Sequence, residues 1–376
     1  MIPFNKPCYI GEEEQAIAQA IANRKMSGNG VFGKQCAAWL EQQLHTKKAL
    51  LTPSCTAALE MCALLIDIQS GDEVIMPSYT FVSTANAFAL RGAQIVFVDV
   101  DPATMNIDPE QVRAAVTERT KAIMVVHYAG VACDMDRIMA IANQHKLWVM
   151  EDAAQALMSQ YNGQPLGTIG HLGTISFHET KNYGCGEGGA LLVNDKTLIT
   201  RAEIIQEKGT DRSQFIRGEV DKYSWRDIGS SYLLSELNAA YLSVQLDHAE
   251  AINQDRLSSW YAYEEGLRAL ATSGMLEVPY IPAYAKHNAH LFFIKTVHPT
   301  SRPRLMEWLT AQDIMTVTHY VPLHTSTAGK KYGRFHGIDR YTTNESNKLL
   351  RLPLYYGMSK RDVAYVVEKI QQFYEG

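Results

Sequence analysis

Between residues 48 and 195, short continuous apolar runs alternate with segments of helical periodicity. The runs are Ala49–Leu51, Glu73–Met76, Gln94–Val98, Ala122–His127, Trp148–Glu151, Thr174–Phe177 and Ala190–Val193. Between them lie stretches with apolar residues three and four apart, among them Ser83–Arg91, Pro109–Glu118 and Met135–His145. Runs without polar alternation, joined by helical connections, predict an α/β fold: a mainly parallel central sheet with helices on both faces. Upstream, GEEEQAIAQAIANRKM predicts an amphipathic helix with acids near its N-terminus, where the helix dipole favours them. A loop SGNGVFGK and a helix through Cys36–Leu44 follow. Beyond residue 250 the pattern changes to a long charged and aromatic helix (Asn253–Leu270), a strand (His290–Val297), a helix (Arg302–Ala311) and a closing helix (Lys360–Tyr374). The expected division is a large α/β domain over 1–250 and a smaller C-terminal α+β domain over 251–376.

Composition narrows the function classes. The 376 residues carry a formal net charge of -5, so there is no basic footprint for nucleic acid. Six cysteines are dispersed without a C-x-x-C pair, which signals neither zinc nor an iron–sulfur cluster and suits reduced thiols in a cytoplasmic protein. The first residues lack an apolar signal region, and no uncharged apolar run reaches membrane-spanning length.

Three segments carry candidate chemistry. Ser54-Cys55-Thr56-Ala57-Ala58-Leu59 places small polar residues between a strand and a helix, where free backbone N–H groups suit a phosphate; alone, the same pattern is also a plain N-cap. Trp148–Gln155 ends an apolar strand in Glu151-Asp152. A carboxylate there can keep a pyridine nitrogen protonated, or can cap the following helix. In Thr174–Gly189 a strand delivers Lys181 into a glycine-rich turn. A desolvated lysine there acts as nucleophile and base, whereas a solvated one does neither. Taken together, in this order on successive strand ends, the three point to pyridoxal 5'-phosphate (PLP). Two decoys are set aside. Gly28-Asn-Gly30-Val-Phe-Gly33 matches G-x-G-x-x-G, but a helix rather than a strand precedes it. His127, Asp152 and His178 read as pocket residues rather than metal ligands, so no metal is expected.

With these residues in place, the chain resembles the DegT/DnrJ/EryC1/StrS family of sugar aminotransferases, within the fold type I PLP enzymes. The resemblance runs nearly end to end, through IPFNKP, SGNGVFGK, SCTAAL, PSYTFVSTANA, EDAAQA, SFHETKNYGCGEGG, LLSELNAA and HYVPLH. It implies that Lys181 forms the Schiff base with the cofactor, that Asp152 pairs with the pyridine nitrogen, and that Gln155 sits near the 3-oxygen. Phe81 would stack on the ring, and Cys55, Thr56 and Ser176 would bind the phosphate. Asn238 would reach the phosphate in a neighbouring subunit, implying a homodimer with shared active sites. Two positions depart from the family pattern: Cys55 replaces a usual Gly and Glu179 a common Pro. A backbone N–H at residue 55 survives the first change, and the second affects loop rigidity more than chemistry.

Within the family, KGTDRSQFIRGEVDKYSWRDIGSSY is similar to the subgroup that moves an amino group from glutamate to C4 of dTDP-4-dehydro-6-deoxy-D-glucose, for enterobacterial common antigen. Alternatives are amination at C3 or of a UDP-linked sugar, a PLP sugar dehydratase, and a non-catalytic regulatory protein. The dehydratases carry histidine in place of the lysine present here. The polar segment with Arg212, Arg217 and Lys222 is the expected anchor for the sugar diphosphate, or simply a charged loop. His319 and Tyr320 are the expected sugar contacts.

Overall fold

The computed structural model describes residues 1–375. Its large sheet has eight strands in the order Lys48–Thr52, Gly189–Val193, Leu172–Ser176, Trp148–Asp152, Thr120–Val126, Glu73–Pro77, Gln94–Val98 and Gly333–Phe335. Gly189–Val193 runs antiparallel to both of its neighbours, and every other pairing is parallel. Because side chains alternate across a strand, each apolar run feeds two cores. Leu51, Ile75, Val96, Ile123, Val149 and Leu192 pack on one face, against the helices Val31–Leu44, Met135–His145 and Glu236–Asp247. Leu50, Met76, Phe97, Met124, Met150 and Leu191 pack on the other, against Cys55–Leu65, Val82–Ala89 and Ile199–Gln206. This is the mainly parallel, doubly covered sheet that the apolar runs predict.

A second, antiparallel sheet of Leu276–Glu277, Phe292–Thr296 and Leu349–Leu352 has its own core with Trp260, Tyr263, Leu305 and Val366. The long helix Ala249–Thr272 lies against it, and the closing helix Lys360–Glu375 packs on that helix.

Several elements differ in extent from the sequence reading. The strand expected at Thr174–Phe177 is Leu172–Ser176 and includes Gly173, where a Cβ would lie 2.1 Å from the Gly167 carbonyl oxygen. A glycine demanded by that close approach interrupts the apolar signal. The helix expected over Pro109–Glu118 stops at Ala115 because Val116 is extended. The edge strand Gly333–Phe335 was not expected, having no apolar run to announce it.

The loop expected over SGNGVFGK is a second correction. Its latter half is the first turn of the helix Val31–Leu44. The reason lies far along the chain: the Glu236 carboxylate accepts hydrogen bonds from the N–H groups of Gly30, Phe32 and Gly33, each at 2.9 Å. A helix start leaves such donors unpaired and carries partial positive charge, so a buried carboxylate satisfies both. The G-x-G-x-x-G segment is therefore closed by the protein's own anion. Glu236→Ala should lower the unfolding free energy by about 2–3 kcal/mol, because several buried N–H groups lose their acceptor. Urea unfolding followed by circular dichroism checks this, with Glu236→Gln expected to lose less.

Candidate active site

The carboxyl ends of the parallel strands open into a cavity of about 630 Å³. Cys55, Thr56, Phe81, Asp152, Gln155, Ser176, Lys181, His319 and Tyr320 all line it. Cys55 begins the helix Cys55–Leu65, and the Ser54 hydroxyl accepts from Ala57 N–H as its N-cap at 3.1 Å. The capping reading of the turn is thus correct for Ser54, and the two residues that follow it, Cys55 and Thr56, line the cavity. Gly189 makes this turn possible: a Cβ there would lie 2.4 Å from the Cys55 nitrogen. The Thr56 hydroxyl donates to Ser83 Oγ at 2.8 Å, placing two hydroxyls beside the helix start.

Asp152 is buried at the end of its strand. Its Oδ2 accepts from the Thr84 hydroxyl at 2.8 Å and its Oδ1 from Ala154 N–H at 3.1 Å. Burial raises its pKa, against the lowering effect of these donors and of Lys181. A protonated ring nitrogen fits such a carboxylate, since it supplies the cation that burial removes. Burial likewise lowers the Lys181 pKa, opposed by Cys55 and Asp152, so the neutral and nucleophilic amine is favoured. The Gln155 side chain is oriented at both ends: Oε1 accepts from Ala129 N–H at 2.7 Å, and Nε2 donates to the Tyr320 hydroxyl at 3.0 Å. Phe81 is 55% exposed at the cavity wall, as an unstacked platform would be. An anion-binding helix end, a buried carboxylate, a buried amine and a free aromatic face match the phosphate, ring nitrogen, aldehyde and ring of PLP.

One residue before Asp152 and on the opposite face of the sheet, Glu151 is fully buried. It accepts from the N–H groups of Gly167, Ile169 and Gly170 at 2.6–2.8 Å, and pairs with His127 Nε2 at 2.9 Å. The Cys133 N–H donates to His127 Nδ1 at 3.2 Å, so both nitrogens of that ring serve the scaffold. His178 turns to Thr180 and Glu187. The residues weighed as a metal set therefore do not converge.

Two expected site residues, Arg212 and Arg217, lie outside the cavity, and Asn238, expected to reach a neighbouring subunit's site, lies outside this chain's own. The Asn238 amide donates to the Cys185 and Glu187 carbonyls at 2.7 and 3.1 Å, bracing the loop that follows Lys181. Arg217 is not an open phosphate anchor: it forms a bidentate pair with Glu203 at 2.9 and 3.1 Å and a further contact to Glu219 at 2.7 Å. Arg212 opens a short exposed helix, Arg212–Ile216, remote from the cavity lining. Spacing could not reveal that Glu203, from a neighbouring helix, would claim Arg217.

Cavity residues that the sequence reading missed come mostly from beyond residue 250, with Phe4 and Asn5 from the N-terminus. His290 and Arg351 are the chief ones. Arg351 stacks over the Phe4 ring at 4.7 Å, and its Nε is buried without a partner among the described residues. His290 opens the segment read as a strand, which was the only available signal.

A family model described as the DegT/DnrJ/EryC1/StrS aminotransferase family matches residues 8–371. The chain belongs to this family. It is accordingly a PLP-dependent aminotransferase of fold type I, and its cavity has the chemistry that cofactor needs. A pleiotropic regulatory protein of Geobacillus stearothermophilus is 36% identical over 319 residues, 84% of this chain and 82% of that protein. The spore coat polysaccharide biosynthesis protein SpsC of Bacillus subtilis is 32% identical over 386 residues, 100% of this chain and 97% of that one. Among solved structures, a DegT/DnrJ/EryC1/StrS aminotransferase from Brucella abortus superposes with a TM-score of 0.89 at 30% identity, covering 97% of this chain and 96% of that one. The aminotransferase TlmJ from Streptoalloteichus hindustanus superposes with a TM-score of 0.91 at 28% identity, covering 100% and 99%.

The burial of Asp152 sets a testable opposition between stability and function. Its carboxyl pKa is raised in the folded chain, so the folded state without cofactor is penalised as pH rises through that pKa and is relieved below the ordinary carboxylate range. Asp152→Asn should therefore raise the melting temperature of the cofactor-free protein at pH 7. The gain should shrink as the buffer is taken toward pH 4, while transamination is lost at every pH.

Proposed function

We propose that this enzyme transfers the amino group of L-glutamate to C4 of dTDP-4-dehydro-6-deoxy-D-glucose, giving dTDP-4-amino-4,6-dideoxy-D-galactose and 2-oxoglutarate. The observation that carries the chemistry is the convergence of Lys181, Asp152 and the open helix start at Cys55 in one cavity. The substrate assignment rests on the Lys208–Tyr232 segment, and a role in cell-surface polysaccharide synthesis accords with the name of the Bacillus relative.

When bound, PLP supplies an electron sink for the carbon that loses or gains a proton. The remaining work belongs to the chain. Lys181 would hold the cofactor covalently, and its Nζ amine, once free, would carry a proton between the two reacting carbons. Burial lowers the pKa of that amine, against the raising effect of Cys55 and Asp152. Asp152, steadied by Thr84 and Ala154, holds the ring nitrogen protonated. Cys55 (through its backbone), Thr56 and Ser176 would hold the phosphate; Phe81 would support the ring and Gln155 would sit near the 3-oxygen. His319 and Tyr320, whose rings lie 3.6 Å apart, form the sugar-side wall.

Residues 1–250 would form the cofactor-binding unit and 251–376 the smaller unit that covers it. Exposed Phe215, Tyr223, Trp225 and Ile228 on one segment favour a homodimer, which would bring Asn238 to the partner's site. Among the described residues no helix is long and apolar enough to cross a membrane, and the enzyme is assigned to the cytoplasm.

The test is an assay with PLP, glutamate and the keto sugar nucleotide, with the product identified by mass spectrometry and NMR. A 4-amino product of galacto configuration is expected. A Schiff-base absorbance band without product would redirect the assignment to C3 or UDP-linked keto sugars. Absence of the band would favour the regulatory reading that the name of the Geobacillus relative suggests. Lys181→Ala should bind cofactor without the covalent band and lose at least about 10²–10⁴-fold in turnover.

A further inference from the structure

His290 lies in the cavity wall opposite the strand ends, and the transamination chemistry assigns it no task. Its surroundings decide where its proton sits. Asn288 Nδ2 donates to the carbonyls of Gln155 and Leu157 at 2.9 and 2.8 Å, so its Oδ1 is the atom that accepts the His290 N–H at 3.0 Å. Asn182, next to Lys181, donates its Nδ2 to the Asn288 carbonyl at 3.0 Å. A flipped Asn182 amide would set two oxygens against each other, so Oδ1 is the atom turned to His290. It stands 3.0 Å from His290 Nδ1, and a carbonyl oxygen can only accept. A proton is therefore on Nδ1, and in the neutral ring Nε2 carries the lone pair.

We infer that His290 is a neutral imidazole whose unprotonated Nε2 is presented to the cavity as the hydrogen-bond acceptor for a hydroxyl of the sugar substrate. This deepens the proposed function and rests on it. Nε2 has no hydrogen-bond partner among the described residues. Protonating it would place a cation beside Lys181, Arg256, His319 and Arg351 in a buried site, and burial with these neighbours drives the His290 pKa well below its ordinary value. The backbone is held to the same end. Arg256 donates to the Ala289 and His290 carbonyls at 3.2 and 2.7 Å, and Ala289 adopts the left-handed φ of 50°. Gly130 leaves the necessary room, since a Cβ there would lie 2.0 Å from Asn288 Oδ1.

An uncharged acceptor selects an uncharged donor. The anionic groups of either substrate are suited to Arg351, whose Nε is buried without a partner among the described residues. Glutamate carries no hydroxyl; its one candidate donor is the amine that reacts, and that amine is common to both halves of the transamination. A sugar hydroxyl appears in only one half.

Two measurements on the PLP-loaded enzyme test this. The ¹⁵N NMR spectrum of histidine-labelled protein should show one imidazole with Nδ1 protonated and Nε2 bare, unchanged from pH 6 to 8, and missing in His290→Gln. Rapid-mixing spectroscopy then separates the glutamate half-reaction from the sugar half-reaction. In His290→Phe, kcat/KM for the sugar should fall about 10–100-fold, the scale for a substrate hydroxyl left unpaired. The loss with glutamate should be at least tenfold smaller. His290→Gln, whose amide oxygen can accept in the same direction, should recover part of the sugar loss. An Nε2-protonated ring, or equal losses in both half-reactions, would overturn the inference, the latter placing the acceptor at the shared amine. Failure of the unmodified enzyme to take the sugar would instead sink the substrate assignment.

Discussion

The geometry of the site depends on a carboxylate that never touches it. Glu151 stands in the middle of the central sheet with no access to water, where an unpaired charge would cost far more than a strand pairing returns. Three backbone N–H groups and one imidazole surround it, and to supply them the chain between Gly167 and Gly170 must fold tightly under the sheet. Strand alternation then settles the next residue. With Glu151 locked to one face, Asp152 has no choice but the other, at the strand end where the cofactor ring belongs. The acid that does the chemistry is aimed by the acid beside it.

That pairing explains why some of the molecule was readable from residue order and some was not. The sheet and its helical cover were legible because apolar runs are local, and their two-sided burial leaves no polar alternation to confuse them. The strand-end wall of the cavity was legible for the same reason: Cys55, Asp152 and Lys181 follow those runs, so placing the runs brought them to one cavity. The opposite wall was not. Arg351 comes from a sheet that packs around Phe292 and Leu350, His290 leads into one of its strands, and their approach to Lys181 depends on contacts across more than a hundred residues. Arg217 failed as an anchor for a similar reason, because Glu203 is a neighbour only after the helix Ile199–Gln206 has folded. The helix start at Val31 was hidden too, since its cap is supplied by Glu236.

The chain has two polar helix starts near its glycine-rich segments, and it treats them oppositely. One is filled by Glu236, and the other, at Cys55, opens at the cavity and in the proposed function takes a phosphate. The same electrostatic opportunity is used once for cohesion and once for binding.

The reversed direction of Gly189–Val193 has a mechanical consequence. A parallel successor to Leu172–Ser176 would have required a crossover back to the far edge of the sheet, leaving the lysine on a long connection. Running antiparallel, the next strand starts where the last one stopped, so Lys181 rides on a short span clamped at both ends by sheet pairing, from Ser176 opposite Gly189. Asn238 staples the end of that span nearer Gly189 through the Cys185 and Glu187 carbonyls. The reactive amine can swing on its own four methylenes while its anchorage stays still. Catalytic reach is thereby separated from backbone motion, and little conformational entropy remains to be lost each time the amine returns to its place.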